Sequence, residues 1–168
     1  MHIRESGRIP SDGELLLVHT PEYLTRLKEA AGLAHLTGEL IDFGPEAKVS
    51  AGTYEAAVAA TGATLDMVDY VLGGPGRTGF SLVWPPGHHA EPDQACGFCY
   101  INHAAIAALY ARDLGIRRGK EPYPILVIDI DHHTANGTRR AVANKEHVLL
   151  IDTDYEAAYD EALGRYID

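Results

Sequence analysis

Ile125-Leu126-Val127-Ile128-Asp129-Ile130 is an apolar run broken by one carboxylate, and it restricts the fold more than any other stretch. Continuous rather than alternating apolarity suits a strand buried on both faces of a parallel sheet. His147 to Ile151 reads as a second strand of that kind, and Phe80 to Trp84 as a short one running into Pro85-Pro86-Gly87.

The segments between these runs read as helices. Thr20-Pro21-Glu22 is a helix start, with a capping hydroxyl and proline at the first helical position ahead of Tyr23, Leu24 and Leu27. A turn-rich stretch from Gly38 to Gly52 separates it from a helix beginning near Thr53. There Val58, Thr61, Leu65, Val68 and Leu72 recur at spacings of three and four, until Gly73-Gly74-Pro75-Gly76 stops them. Ala104 to Leu114 and Tyr155 to Ile167 carry two more helical patterns. Strands alternating with helices indicate an α/β fold with a mainly parallel sheet, whose ligands sit at the carboxyl ends of the strands.

Composition narrows the function. The 168 residues form a single domain over 1–168, with 46% apolar and 23% charged side chains, which excludes a disordered chain. The formal charge of −10, from 24 acidic and 14 basic residues, repels phosphate backbones and anionic lipid. Direct nucleic-acid or membrane partners are therefore not expected. No apolar run approaches the roughly 18 residues of a membrane helix, and residues 1–20 hold no signal-peptide core. Two cysteines exclude a disulfide scaffold, so a reducing cytoplasm is the expected compartment.

Histidine stands out instead. Five of the nine (His88, His89, His103, His132 and His133) lie between residues 88 and 133, and two pairs follow expected strands. Within Asp129-Ile130-Asp131-His132-His133, residues two apart share a direction, so Asp129, Asp131 and His133 converge. A carboxylate and an imidazole brought together make part of a catalytic zinc site, which takes three protein ligands and a water. His88 and His89 supply a general base and an electrostatic partner beside such a site. Each cluster alone also fits a solvated loop or a surface pair titrating near neutrality. Their placement on one sheet edge favours a metal hydrolase. Cys96-Gly97-Phe98-Cys99 is a lone pair of cysteines that reads as loop packing, and no Gly-x-Ser-x-Gly element is present.

Several spaced motifs together resemble the zinc-dependent histone deacetylase family, which includes acetoin-utilisation and acetylpolyamine deacetylases. They are Pro85-Pro86-Gly87-His88-His89-Ala90-Glu91, Gly97-Phe98-Cys99-Tyr100-Ile101-Asn102 and Asp129-Ile130-Asp131-His132-His133-Thr134-Ala135-Asn136-Gly137-Thr138. Val18-His19-Thr20-Pro21-Glu22-Tyr23-Leu24 and Ser50-Ala51-Gly52-Thr53-Tyr54-Glu55-Ala56-Ala57 look like the same family. The resemblance implies a three-layer α-β-α sandwich of the arginase/deacetylase type. It implies Asp131 and His133 as metal ligands, and His88 and His89 as the catalytic pair. Asp129 then orients the first histidine, and Asn136 stands where the second finds its Asp or Asn partner. Gly97 and Phe98 match residues beside the acyl-lysine channel.

The implied cofactor is Zn2+, with another divalent metal or an added monovalent cation left open. The implied substrate is acetyl-lysine or a small acetylated amine, from which hydrolysis removes the acetyl group. The alternative is an inactive remnant of the fold that binds a ligand or a partner chain.

The departures are specific. Thr134 and Ala135 replace the family's usual histidine and glycine, and Asp152 and Asp154 stand where serine and histidine are usual. The family's third metal ligand and its oxyanion tyrosine have no counterpart in this sequence. Asp152, Asp154 or Asp160 would have to replace the ligand, and Tyr155 or Tyr159 the hydrogen-bond donor. A sheet lacking neighbouring strands leaves open edges, so a homo-oligomer is expected.

Overall fold

The structure, a computed structural model, describes residues 5–74 and 77–153. Pro75, Gly76, Asp154, Tyr155, Tyr159, Asp160 and the helix expected over Tyr155 to Ile167 lie outside these residues.

A short helix, α1 (Asp12–Leu15), opens the described chain. It forms because Ser11 and Glu14 make a reciprocal capping box, Glu14 N–H to the Ser11 hydroxyl and Ser11 N–H to the Glu14 carboxylate. Helix α2 (Pro21–Thr37) begins where expected: the Thr20 hydroxyl accepts Tyr23 N–H at 3.2 Å, and Gly38 ends the helix at φ 72°. The turn-rich stretch that follows contains a hairpin, β1 (Ile41–Gly44) and β2 (Ala47–Val49), paired antiparallel. Its strands of four and three residues are too short to show a periodicity.

Helices α3 (Thr53–Gly73) and α4 (His103–Arg117) pack on one another. Alanines at 57, 60, 105, 107, 108 and 111 are buried, so the two backbones approach closely. Ile106 and Leu109 fill the space left over and are at most 1% exposed. Burying a side chain of that size contributes roughly 1.5–3 kcal/mol. Besides α3, helix α4 touches α1, the last described helix and both strands of the second sheet, and so sits at the centre of the core.

That second sheet positions the site. Strand β3 (Ile125–Asp129) crosses through α5 (Asn136–Val142) to β4 (Val148–Asp152), and the strands run parallel in register from Ile125↔Val148 to Asp129↔Asp152. Both strands therefore end on an aspartate, and the β3–α5 loop rises from the carboxyl edge.

Two sequence expectations need correction. The β3 run is buried on one face only: Leu126, Ile128, Leu149 and Ile151 are 45–62% exposed, because α4 and α5 cover the other face and no described element covers this one. Phe80 to Trp84 forms no strand, because no described strand lies beside it to pair. Its burial still alternates, with Phe80, Leu82 and Trp84 outward. The described residues thus supply helices on one face of a parallel sheet, two layers of the implied three.

Candidate active site

The two histidines of the Gly87-His88-His89 loop lie side by side, ring centroids 4.1 Å apart. Each has a separate partner. His88 Nδ1 meets Asp129 Oδ2 at 3.2 Å, and a carboxylate only accepts, so His88 donates. His89 Nδ1 meets Asn136 Oδ1 at 2.6 Å. The partners come from different elements, Asp129 from the end of β3 and Asn136 from the first residue of α5.

The loop holding these rings is fixed from beneath. Asn102 is fully buried and caps α4, its Oδ1 accepting Ala105 N–H at 3.0 Å. Its Nδ2 reaches the Ala90 carbonyl and the Thr138 hydroxyl, both at 3.1 Å. Thr138 N–H donates to the His88 carbonyl at 3.0 Å, so one buried knot joins the histidine loop, α4 and α5. Below it, His19 Nε2 accepts Asn102 N–H at 2.9 Å. Burial pushes the His19 imidazole down to about 4, which keeps it neutral. His103 is likewise held below the usual histidine range by burial. It lies under Gly87, where a Cβ would fall 2.8 Å from its Nδ1.

Gly97 closes over His89: a Cβ there would stand 2.4 Å from His89 Cδ2, and its φ is +53°. Cys96 and Cys99 bond each other's backbones across the tight turn, as loop packing predicts, and the buried Cys99 thiol is pushed up to about 11 by desolvation. Phe98 stands exposed at the tip with φ 62°, held by its N–H to the Glu46 carbonyl. An aromatic residue rarely adopts that conformation, and the hairpin loop maintains it here.

Asp131 and His133 adjoin the rings but are less covered. Asp131 Oδ1 accepts both the backbone N–H of His133, at 2.8 Å, and its Nδ1, at 3.0 Å. That backbone N–H is the main reason the Asp131 carboxyl lies below its usual range. His133 meets His89 edge-on at 5.8 Å between ring centroids, and Asp131 Oδ1 is 3.9 Å from His88 Nε2. Convergence therefore holds, but by side chains folding back on the loop backbone rather than by continued strand geometry. The expected buried strand end is also corrected, since Asp131 and His133 side chains are 50% and 69% exposed. As nitrogen and oxygen donors in contact they fit part of a zinc site. Among the described residues no group of three or more His, Cys, Asp or Glu side chains is arranged to hold a metal. Asp152 does not fill the gap: its Oδ2 accepts Ala135 N–H at 2.9 Å and binds Arg139 at 2.8 Å, which fixes the loop instead.

Sequence reasoning left Asn102, Thr138, His19 and the Glu91–Arg140 pair without roles. A polar residue directly before the Ala-rich helix is the signal that could have found Asn102 as a cap. No local pattern marked the others, whose contacts span 49 positions in the case of Glu91 and Arg140.

The chain matches the histone deacetylase domain family over residues 3–159. It is 38% identical to histone deacetylase 8 of Arabidopsis thaliana, over 82% of this chain and 34% of the relative. It is 36% identical to the histone deacetylase-like amidohydrolase of Pseudomonas aeruginosa, over 89% and 37%, and 38% identical to human polyamine deacetylase HDAC10, over 88% and 21%. The solved HDA15 HD domain superposes with a TM-score of 0.76 at 32% identity, over 88% of this chain and 38% of that one. The chain thus spans 21–37% of the length of these relatives. A family match covering nearly every residue, joined to the paired histidines and their partners, establishes that this chain belongs to the histone deacetylase family.

Proposed function

We propose that the chain carries the proton-handling part of a zinc-dependent deacetylase, which hydrolyses acetyl-lysine or a small acetylated amine. The observation that carries this is the pair of adjacent imidazoles, each bonded through Nδ1 to its own oxygen partner and each keeping Nε2 for chemistry. An imidazole donating from Nδ1 has a lone pair at Nε2, so either ring can take a proton there and return it to a leaving amine. Asp131 and His133 would hold the zinc, whose bound form polarises the acetyl carbonyl and activates the attacking water. Gly97 lets the loop lie flat on His89, and exposed Phe98 offers an apolar wall to a substrate's alkyl chain.

Names among the relatives support both substrate classes, histone and polyamine deacetylases. A cytoplasmic setting, no direct nucleic-acid or membrane partner, and self-association through the open face of β3 and β4 belong to the same proposal. No helix among the described residues is long and apolar enough to cross a membrane.

The second reading, a binding module without turnover, is favoured by the exposure of Asp131 and His133. Zinc content and hydrolysis of acetyl-lysine and acetylpolyamine amides, wild type beside His133→Ala, test the proposal. We expect zinc retention that depends on His133, and whatever hydrolysis is seen to disappear with it. Zinc retention indifferent to His133 would contradict the assignment; acetyl-lysine binding that needs neither zinc nor His133 would select the second reading.

A further inference from the structure

Behind His89 the hydrogen bonds continue. Asn136 Nδ2 donates to Glu91 Oε1 at 3.1 Å, and the other Glu91 oxygen is ion-paired with Arg140, which also binds Asp93 at 2.9 Å. An aspartate at 136 would present two equivalent acceptors to His89. An asparagine presents one acceptor and one donor, so its orientation decides which His89 nitrogen can carry the proton. A carboxylate accepts only; Glu91 therefore draws the amide nitrogen toward itself and turns Oδ1 toward His89.

We propose that Glu91 is a positioning residue that, through the Asn136 amide, sets His89 in the tautomer with its proton on Nδ1. The flipped amide would offer N–H to His89 Nδ1, forcing the proton onto Nε2 and removing the lone pair that the proposed hydrolysis requires. The inference rests on that functional reading for its purpose, though not for its test. Arg140 ion-pairs the other Glu91 oxygen, and the Glu91–Asn136 hydrogen bond does not pass through it. A hydrogen bond to a charged acceptor favours the observed orientation by roughly ten- to a hundredfold.

The test is nitrogen-15 spectroscopy of the histidine rings in the full chain, near neutral pH. The wild type is expected to show His89 almost wholly protonated on Nδ1. Glu91→Ala should populate the Nε2–H tautomer at least tenfold more. Glu91→Gln, whose side-chain oxygen still accepts from Asn136, should restore the wild-type tautomer, and Arg140→Met should retain it. In an Asn136→Asp background, Glu91→Ala should leave the tautomer unchanged, because no amide remains to flip. The buried His19 and His103 signals report whether each variant is folded. A wild-type His89 protonated on Nε2, or a folded Glu91→Ala with the wild-type ratio, would overturn the proposal. Because turnover is not read, a wild type with the expected tautomer but zinc retention indifferent to His133 would count against the proposed function alone.

Discussion

The histidine pair and the carboxylate–imidazole pair lie within one cluster, yet they are held very differently. His88 and Asp129 side chains are each 14% exposed, and the loop under them is tied to α4 and α5 by Asn102 and Thr138. Asp131 and His133 are at least half exposed and bonded mainly to each other and to their own loop. The difference teaches that the proposed proton transfer would be preorganised by this chain's core, while the proposed metal binding would rest on the more open loop beyond β3. The apolar face of β3 and β4, which no described element covers, belongs to that same open side.

The largest expected effect is on the ordered side. Asn102→Ala removes a helix cap and strands the buried Ala90 carbonyl and Thr138 hydroxyl, which should cost about 3 kcal/mol in urea unfolding. A loss under 1 kcal/mol would mean that the histidine loop is held by something other than this knot. Asp131→Ala, which removes one of the two donors, should lower zinc affinity by at least about 10-fold, measured by titration, with stability hardly changed. Comparable destabilisation by both substitutions would erase the distinction.

A pH experiment probes the base of the knot. The His19 imidazole falls to about 4 in the folded chain against 6.5 unfolded, so the unfolded state binds more protons between those values. Stability therefore rises with pH across that window and declines on acidification, by about 2 kcal/mol between pH 7 and 5. His103 shifts in the same direction, so His19→Gln should flatten the dependence without abolishing it. The smallest effect belongs to the open face. Leu126→Lys with Ile128→Lys should change monomer stability by no more than about 0.5 kcal/mol while dissociating oligomers in sedimentation. A wild type that sediments as a single monomer would refute self-association through this face.

Local chemistry made much of this legible. Thr20-Pro21, the glycine after α2, the Ala-rich α4 and the β3 run all gave elements close to their observed bounds, because caps and periodicity act over a few residues. The Asp129, Asp131 and His133 grouping was also expected from spacing at a strand end, although side chains folding back on the loop backbone bring it about. Burial on both faces of β3 was not, since apolarity records what a strand is able to cover rather than what covers it. Phe80 to Trp84 shows the same limit: a strand needs a neighbour, and sequence alone does not supply one. The family resemblance already set Asn136 beside His89, 47 positions away, but the continuation to Glu91 is revealed only by the packing of α5 against the loop.

Turnover of an acetyl-lysine amide by the purified chain with added zinc tests the central claim most directly. Among the described residues only two metal donors stand beside the preorganised histidine pair, so hydrolysis near background is expected. General acid–base help contributes only about 10²–10⁴ without a metal-activated water to act on. Robust hydrolysis, abolished by both His88→Ala and His133→Ala, would contradict this account and show that the chain completes its own metal site.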